Sequence, residues 1–390
     1  LYDTVENIDV NPLQILPEIK ERHYSEHQLQ NYADVWNAAK RKMVIVGVAQ
    51  PNAVEQKFLD QLAEDPSVIV LTETTSNLHQ EKFFTRIDTL IGPIEKDENK
   101  KELFKKLQPD ILLTFGGMIV SKKIKSFLRN HSPKHHWHVD SKKAYNTFFC
   151  LNKHFETDVN SFFSEFFPLT TETESDYGSF WKEVKKRRQS RHEEYMAEIP
   201  YSDLKAMQEI YQMIPRDSVL HFGNSSTIRY AQLFQWDKTL KMYCNRGTSG
   251  IDGSISTAVG AAVSSNEPVT IITGDLSFFY DSNALWNNYI PSNFRVIVLN
   301  NNGGGIFRIL PGNKNSENFE KFFETIHDLN AKPMCELYDF EYHKANSEED
   351  IQNTMKDFFS ASGKPKLLEI FTPRKLNDEV LLEYFNFMKS

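Results

Sequence analysis

The stretch Val269-Thr270-Ile271-Ile272-Thr273-Gly274-Asp275-Leu276-Ser277 decides the fold. Its apolar, β-branched run ending on glycine reads as a strand buried on both faces, with Asp275 at its carboxyl end and a helix expected from after Ser277 through Trp286. Arg295-Val296-Ile297-Val298-Leu299 repeats the pattern and runs into Asn300-Asn301-Asn302-Gly303-Gly304-Gly305. If the two strands are neighbours, Asp275 and Asn302, 27 positions apart, meet in the crevice where open α/β sheets bind ligands.

Working outward, the same alternation fills the chain. Met43 to Gly47, Ser67 to Leu71, Asp110 to Phe115 and His136 to Val139 read as strands, with helices expected over Asn52 to Glu64, Lys100 to Leu107 and Ser121 to Arg129. Thr171-Glu172-Thr173-Glu174-Ser175-Asp176 and the basic run Lys182 to Arg191 interrupt the rhythm as a connection with a polar, solvated helix face. It resumes with a helix over Ser202 to Met213, strands at Ser218 to Phe222 and Lys366 to Phe371, and a closing helix from Asn377 to Met388. The expected fold class is α/β: two consecutive doubly wound, mostly parallel-sheet domains, over 1–168 with an N-terminal linker and over 199–390, joined by 169–198.

Composition bounds the function. The 390 residues, at roughly 150 per domain, allow two or three domains with real cores. Forty-five basic against 53 acidic side chains, 45 − 53 = −8, leave no overall positive field for a nucleic-acid backbone. No apolar run of about eighteen residues could span a membrane. Three cysteines without CxxC spacing argue against a disulfide framework and fit a reducing cytoplasm.

One carboxylate, one amide oxygen and a glycine carbonyl form a low-charge, all-oxygen set that suits Mg²⁺ when phosphate oxygens and water complete its octahedron. A diphosphate is the implied guest. Glycines let backbone approach it, and a helix start offers N–H groups to its charge. Either Asn/Gly segment alone also reads as an ordinary turn; their pairing at two strand ends carries the argument.

Gly274-Asp275 followed by Asn301-Asn302 resembles the fingerprint of thiamine-diphosphate enzymes. Gly223-Asn224-Ser225-Ser226-Thr227-Ile228-Arg229, Asn245-Arg246-Gly247-Thr248-Ser249-Gly250-Ile251-Asp252-Gly253 and Asn302-Gly303-Gly304-Gly305-Ile306-Phe307 narrow the resemblance to the 2-succinyl-5-enolpyruvyl-6-hydroxy-3-cyclohexene-1-carboxylate synthase family of menaquinone biosynthesis. The resemblance implies a thiamine-diphosphate-dependent transferase that condenses 2-oxoglutarate, with loss of carbon dioxide, with isochorismate. It implies thiamine diphosphate and Mg²⁺, or Mn²⁺, as cofactors, dianionic substrates, and a homodimer or tetramer of the full-length protein. By the same resemblance Asp275, Asn302 and the Gly304 carbonyl hold the metal. Gly274, Leu276, Ser277, Ile306 and Ile251 contact the cofactor, Ile251 bending it. Asn224, Ser225, Arg229, Arg246, Lys122, Phe307 and Leu310 face substrate. Planar guanidinium groups pair carboxylates in two-pronged fashion, which gives the arginines an independent rationale; without the resemblance, such an arginine reads more often as a surface ion-pair partner.

Rival readings are another decarboxylase or an acetolactate-synthase-like carboligase, whose small neutral acceptors need fewer cations, and a non-catalytic diphosphate-binding regulatory protein. His131, His135, His136 and His138 at close spacing read as a half-buried strand rather than a zinc site. No Gly-x-Ser-x-Gly elbow, Walker or dinucleotide spacing occurs. Family members carry an N-terminal domain with an activating glutamate, and Leu1-Tyr2-Asp3 resembles the segment that follows it, so no catalytic acid is assigned. The expectation is that residues 1–390 alone release no carbon dioxide from 2-oxoglutarate; a release assay on the purified chain checks it, and turnover would contradict it.

Overall fold

The computed structural model describes residues 22–310 and 316–389; the linker reading for the first residues lies largely outside them. The first unit is a five-stranded sheet, all parallel, in the order β2-β1-β3-β4-β5. Its strands are β1 (Lys42–Val46), β2 (Val68–Leu71), β3 (Ile111–Phe115), β4 (His135–Val139) and β5 (Lys153–Phe155). Helices α1 (Glu26–Ala38), α2 (Gln56–Glu64), α3 (Ile87–Lys96), α4 (Lys100–Leu107), α5 (Lys122–Asn130) and α6 (Val159–Phe166) surround it. Side chains alternate between its faces: Val44, Val46, Ile111 and Leu113 pack on one side, Met43, Ile45, Ile69 and Leu112 on the other.

Helix α7 (Tyr177–Glu198) leads to the second unit, built on α8 (Asp203–Met213), β6 (Val219–Phe222), α9 (Ser226–Ala231), β7 (Lys241–Cys244), α10 (Ser254–Ser264), β8 (Val269–Gly274), α11 (Asp275–Tyr280) and β9 (Arg295–Asn300). It continues through α12 (Ile306–Ile309), α13 (Lys332–Leu337), β10 (Glu341–Ala345), α14 (Glu348–Phe358), β11 (Lys366–Phe371) and α15 (Asn377–Phe387). Its six strands are parallel, in the order β10-β11-β9-β8-β6-β7. The chain is thus α/β with two parallel sheets, each covered by helices on both faces.

Sequence reasoning found the continuous apolar strands and passed over β5, β7 and β10. All three lie at sheet edges, where only part of each strand is buried and no unbroken apolar run is needed. The helix expected from Asn52 begins at Gln56, because Asn52 sits at φ 59° in a turn. The polar-face reading of Lys182 to Arg191 also needs correction: α7 buries Trp181, Val184, Arg188, His192 and Tyr195 on one face, and Arg188 belongs to that inner row.

The units are tied by one side chain that imitates backbone. Asn77, after β2, donates from Nδ2 to the Met242 carbonyl (2.9 Å) and accepts from the Met242 N–H at Oδ1 (2.8 Å), pairing with edge strand β7. Asn77→Ala leaves both buried groups of Met242 unpaired and is expected to lower stability by about 1–3 kcal/mol in urea unfolding. Several imidazoles are buried neutral: burial pulls His136 and His221 down to about 4 and, with Arg86 adding to it, His192 down to about 3. On acidification the unfolded chain therefore binds protons first. This contribution to stability is complete above about pH 6.5 and is lost as pH falls towards 4 and 3. Glu73 and Asp203, raised by burial to about 7 and about 6, act in the opposite sense. Between pH 6.5 and 4.5 the difference in stability between wild type and His192→Asn should close by up to about 1.4 kcal/mol per pH unit.

Candidate functional site

Strands β8 and β9 are neighbours, with Gly274 opposite Leu299, so the segments after both leave the sheet at the same level. Asp275, 3% exposed, accepts from the Gly303 N–H at Oδ2 (2.9 Å) and from its neighbour Leu276 at Oδ1 (2.6 Å). It borders a cavity of about 360 Å³ that Gly274, Leu276, Ser277, Asn224, Ser225, Ile251, Gly304, Ile306 and Phe307 also line. Gly303, at φ 148°, passes so close to the Glu324 carbonyl that a Cβ would lie 2.7 Å from it.

Two adjacent loops are held by Asn224, whose Nδ2 donates to the carbonyls of Asn245 and Gly250, both at 2.7 Å. Arg246 in turn donates from Nη1 to Asn224 Oδ1 (2.6 Å). Arg229 lies in the field of Arg246, Asp88 and Glu73, and burial lowers its pKa. The buried Nε atoms of both Arg229 and Arg246 have no hydrogen-bond partner among the described residues.

The structure separates some residues that sequence reasoning grouped. Asn302, at φ 61°, donates from Nδ2 to the His327 carbonyl (3.0 Å) and lines a neighbouring cavity with Asp328 and Lys344. Successive residues leaving a strand point to opposite sides, and it is Asn301 that faces the cavity of Asp275. Its Nδ2 donates to Asp203 Oδ2 (2.7 Å), and its buried Oδ1 has no partner among the described residues. Helix α11 starts at Asp275 itself rather than after Ser277 and stops at Tyr280; Asp281 is held by the N–H and hydroxyl of Ser256 on α10. Lys122 is exposed at the first turn of α5 and Leu310 is exposed beyond α12; neither lines the cavity. In α5 it is Lys125, bonded to the Ile119 carbonyl at 2.6 Å, that feels Glu73, Arg246 and Arg229.

Sequence reasoning gave no role to three residues here. Asp203 caps the cavity floor, accepting from Thr372 and Asn301; burial raises it to about 6, against those hydrogen bonds and with Asp275 adding to the rise. His327 places Nε2 3.3 Å from Asp275 Oδ2. Both are far from the motif in sequence and no spacing announces them, whereas Asn301 stood inside the motif. Among the described residues no three His, Cys, Asp or Glu side chains could together hold a metal, so a cation here depends on oxygens from amide, backbone and ligand. A buried carboxylate beside an unpartnered amide oxygen, in a cavity edged by glycines, fits a small hard cation carried by a diphosphate.

Comparison with known proteins agrees with this geometry. Residues 16–222 match the family described as the middle domain of thiamine pyrophosphate enzymes, and 223–370 the thiamine pyrophosphate enzyme C-terminal TPP binding domain. A 2-succinyl-5-enolpyruvyl-6-hydroxy-3-cyclohexene-1-carboxylate synthase of Christiangramia forsetii is 87% identical over 390 residues, all of this chain and 68% of the relative. The chain belongs to this family. The synthase of Flavobacterium psychrophilum is 49% identical over 99% of the chain and 68% of its own length, and that of Porphyromonas gingivalis 35% over 90% and 61%. The chain is therefore that of a thiamine-pyrophosphate enzyme, and it spans about two thirds of the length of these relatives.

Proposed function

We propose that the cavity beyond β8 and β9 binds thiamine diphosphate with Mg²⁺ (Mn²⁺ as a substitute) and that the enzyme condenses 2-oxoglutarate with isochorismate to 2-succinyl-5-enolpyruvyl-6-hydroxy-3-cyclohexene-1-carboxylate, as in menaquinone biosynthesis. The carrying observation is the cavity that holds Asp275 and Asn301, with Arg246 bonded to Asn224 on its lining and Arg229 in the field of Arg246, although neither arginine itself lines the cavity. Both substrates are dianions, and guanidinium groups with an unpaired Nε are matched to carboxylates.

Asp275 and the Gly304 carbonyl would hold the metal, with an amide oxygen from the Asn301-Asn302 pair. Asn301 supports this with an Oδ1 that has no partner among the described residues, whereas the amide of Asn302 is bonded to the His327 carbonyl. Thiamine diphosphate, when bound, supplies the nucleophilic carbon and electron sink for decarboxylation. The chain's own residues orient and enclose: Ile251, Ile306 and Phe307 form the apolar wall, and Asn224 fixes Arg246 towards the substrate. Tyr280, Trp286 and Tyr289, exposed on the segment leaving α11, support a homodimer, since surface aromatics mark interfaces. No helix among the described residues is long and apolar enough to cross a membrane, and with the cysteine usage this supports a cytoplasmic enzyme.

In the full-length enzyme, Asp275→Ala should abolish Mg²⁺-dependent thiamine diphosphate binding in calorimetry. Arg246→Ala should bind cofactor normally yet lose about tenfold to a hundredfold in kcat/KM for the dianionic substrates. Unchanged cofactor affinity in Asp275→Ala, or faster turnover with pyruvate as donor than with 2-oxoglutarate, sinks the assignment.

A further inference from the structure

We propose that Asp203 is a positioning residue for the cation of this site: it holds the amide nitrogen of Asn301 and so turns the Asn301 oxygen into the cavity beyond β8 and β9. The inference rests on the reading of that cavity as a magnesium diphosphate site, and it selects Asn301 as the asparagine that serves the ion.

The two ends of a side-chain amide have nearly the same shape and opposite hydrogen-bonding character, so its surroundings must fix which end faces a ligand. An ionised carboxylate accepts hydrogen bonds and donates none. Asp203 Oδ2 accepts from Asn301 Nδ2 at 2.7 Å, and both side chains are buried. Reversing the amide would set its oxygen against a carboxylate oxygen, two acceptors with no proton between them, which is costly out of water. The acid therefore admits one orientation. In it Asn301 Oδ1 is buried and has no partner among the described residues, on a side chain that lines the cavity together with Asp203 and Asp275.

The asparagines on either side are committed elsewhere. Asn300 donates to Glu369 (2.7 Å) and to the Leu329 carbonyl (3.0 Å), and its Oδ1 accepts from the Asn302 N–H (3.0 Å). Asn302 gives its amide nitrogen to the His327 carbonyl.

Asp203 is itself held from three elements. It is the first residue of the eleven-residue helix α8, whose N-terminal end favours a carboxylate. The Thr372 hydroxyl, just past β11, donates to its Oδ1, and its backbone N–H donates to Asn377 Oδ1 at the head of α15 (2.8 Å). The Asn301 amide and the Thr372 hydroxyl that it accepts from are neutral, and its field overlaps that of Asp275. Buried negative charge of this kind is offset when a cation enters the cavity.

A double-mutant cycle in the full-length protein tests this, with Mg²⁺ titrated calorimetrically at saturating thiamine diphosphate. Asp203→Ala and Asn301→Ala should each weaken Mg²⁺ binding at least about tenfold, and Asp203→Ala should add less than about twofold once residue 301 is alanine. A purely structural role for Asp203 would leave its effect undiminished in the Asn301→Ala background. Asp203→Asn keeps the shape of the side chain but can donate as well as accept, which opens the reversed amide. It should weaken Mg²⁺ about threefold or more, again only while Asn301 is present, and it carries the test if Asp203→Ala does not fold. Wild-type Mg²⁺ affinity in the Asp203 variants, or full additivity in the cycle, overturns the inference while Asp275→Ala still loses the ion. Should Asp275→Ala also bind Mg²⁺ as wild type does, it is the reading of the cavity that fails.

Discussion

The buried carboxylate of Asp275 is the constraint from which the rest of the second unit follows. A charge removed from water at a strand end must be met by donors, and the chain meets it with the N–H groups of Leu276 and Gly303. The Gly303 bond can form only because β8 and β9 are adjacent and in a register that releases both segments together. It pulls the glycine run over the cavity, where the 319–327 segment then packs: the Gly304 N–H donates to the Glu324 carbonyl (2.6 Å), and Glu324 is clamped by Arg308 and Arg374. One acid thus orders a glycine loop and a short helix.

The first unit supplies a wall rather than a second ligand crevice. Its strand order reverses between β1 and β3, the place where such sheets bind ligands. There the chain has filled the opening with its own backbone: Gly117 N–H donates to the Val48 carbonyl at 2.7 Å, and a Cβ on Gly47 would lie 1.9 Å from the Gly117 carbonyl. What the unit contributes instead comes from Glu73. This fully buried acid accepts from the N–H groups of Val120 and Ser121, fixing the start of α5 and so setting Lys125 within reach of Arg229 and Arg246. An overall charge of −8 therefore says little about a locally cationic boundary between units.

What was legible in the sequence was whatever depended on neighbours along the chain. Central strands such as Ile111–Phe115 and Val269–Gly274 are buried on both faces and have to be apolar throughout; the partly buried edge strands β5, β7 and β10 do not and stayed hidden. The Gly274-Asp275 and Asn301-Asn302 pairs announced the cavity because strand ends converge by topology. They did not announce which asparagine faces inward, since a left-handed residue at Asn302 shifts the alternation beyond the strand. Asp203 and His327 were illegible for a different reason. Each reaches the site through tertiary packing, from 72 and 52 positions away from Asp275, and nothing local marks either as polar for a purpose.

Three left-handed residues stand at the carboxyl edge of the second sheet. Ser225, Ser249 and Asn302 adopt φ values of 73°, 62° and 61°, positions that side-chain-bearing residues seldom occupy, and all three stand in loops at the carboxyl edge of the second sheet. Such conformations cost of order 1–3 kcal/mol each and persist only where the surroundings over-determine them. Asn224 provides that over-determination: its amide is bound to two carbonyls and its oxygen to Arg246, so the loops carrying Ser225 and Ser249 cannot relax independently. Glycine at these three positions would relieve the strain but would also give up the hydroxyl groups that Ser225 and Ser249 bring to the cavity and the amide that Asn302 gives to the His327 carbonyl. The chain has kept the polar side chains and accepted the strain, which is the balance expected where a surface is shaped for a ligand rather than for stability alone.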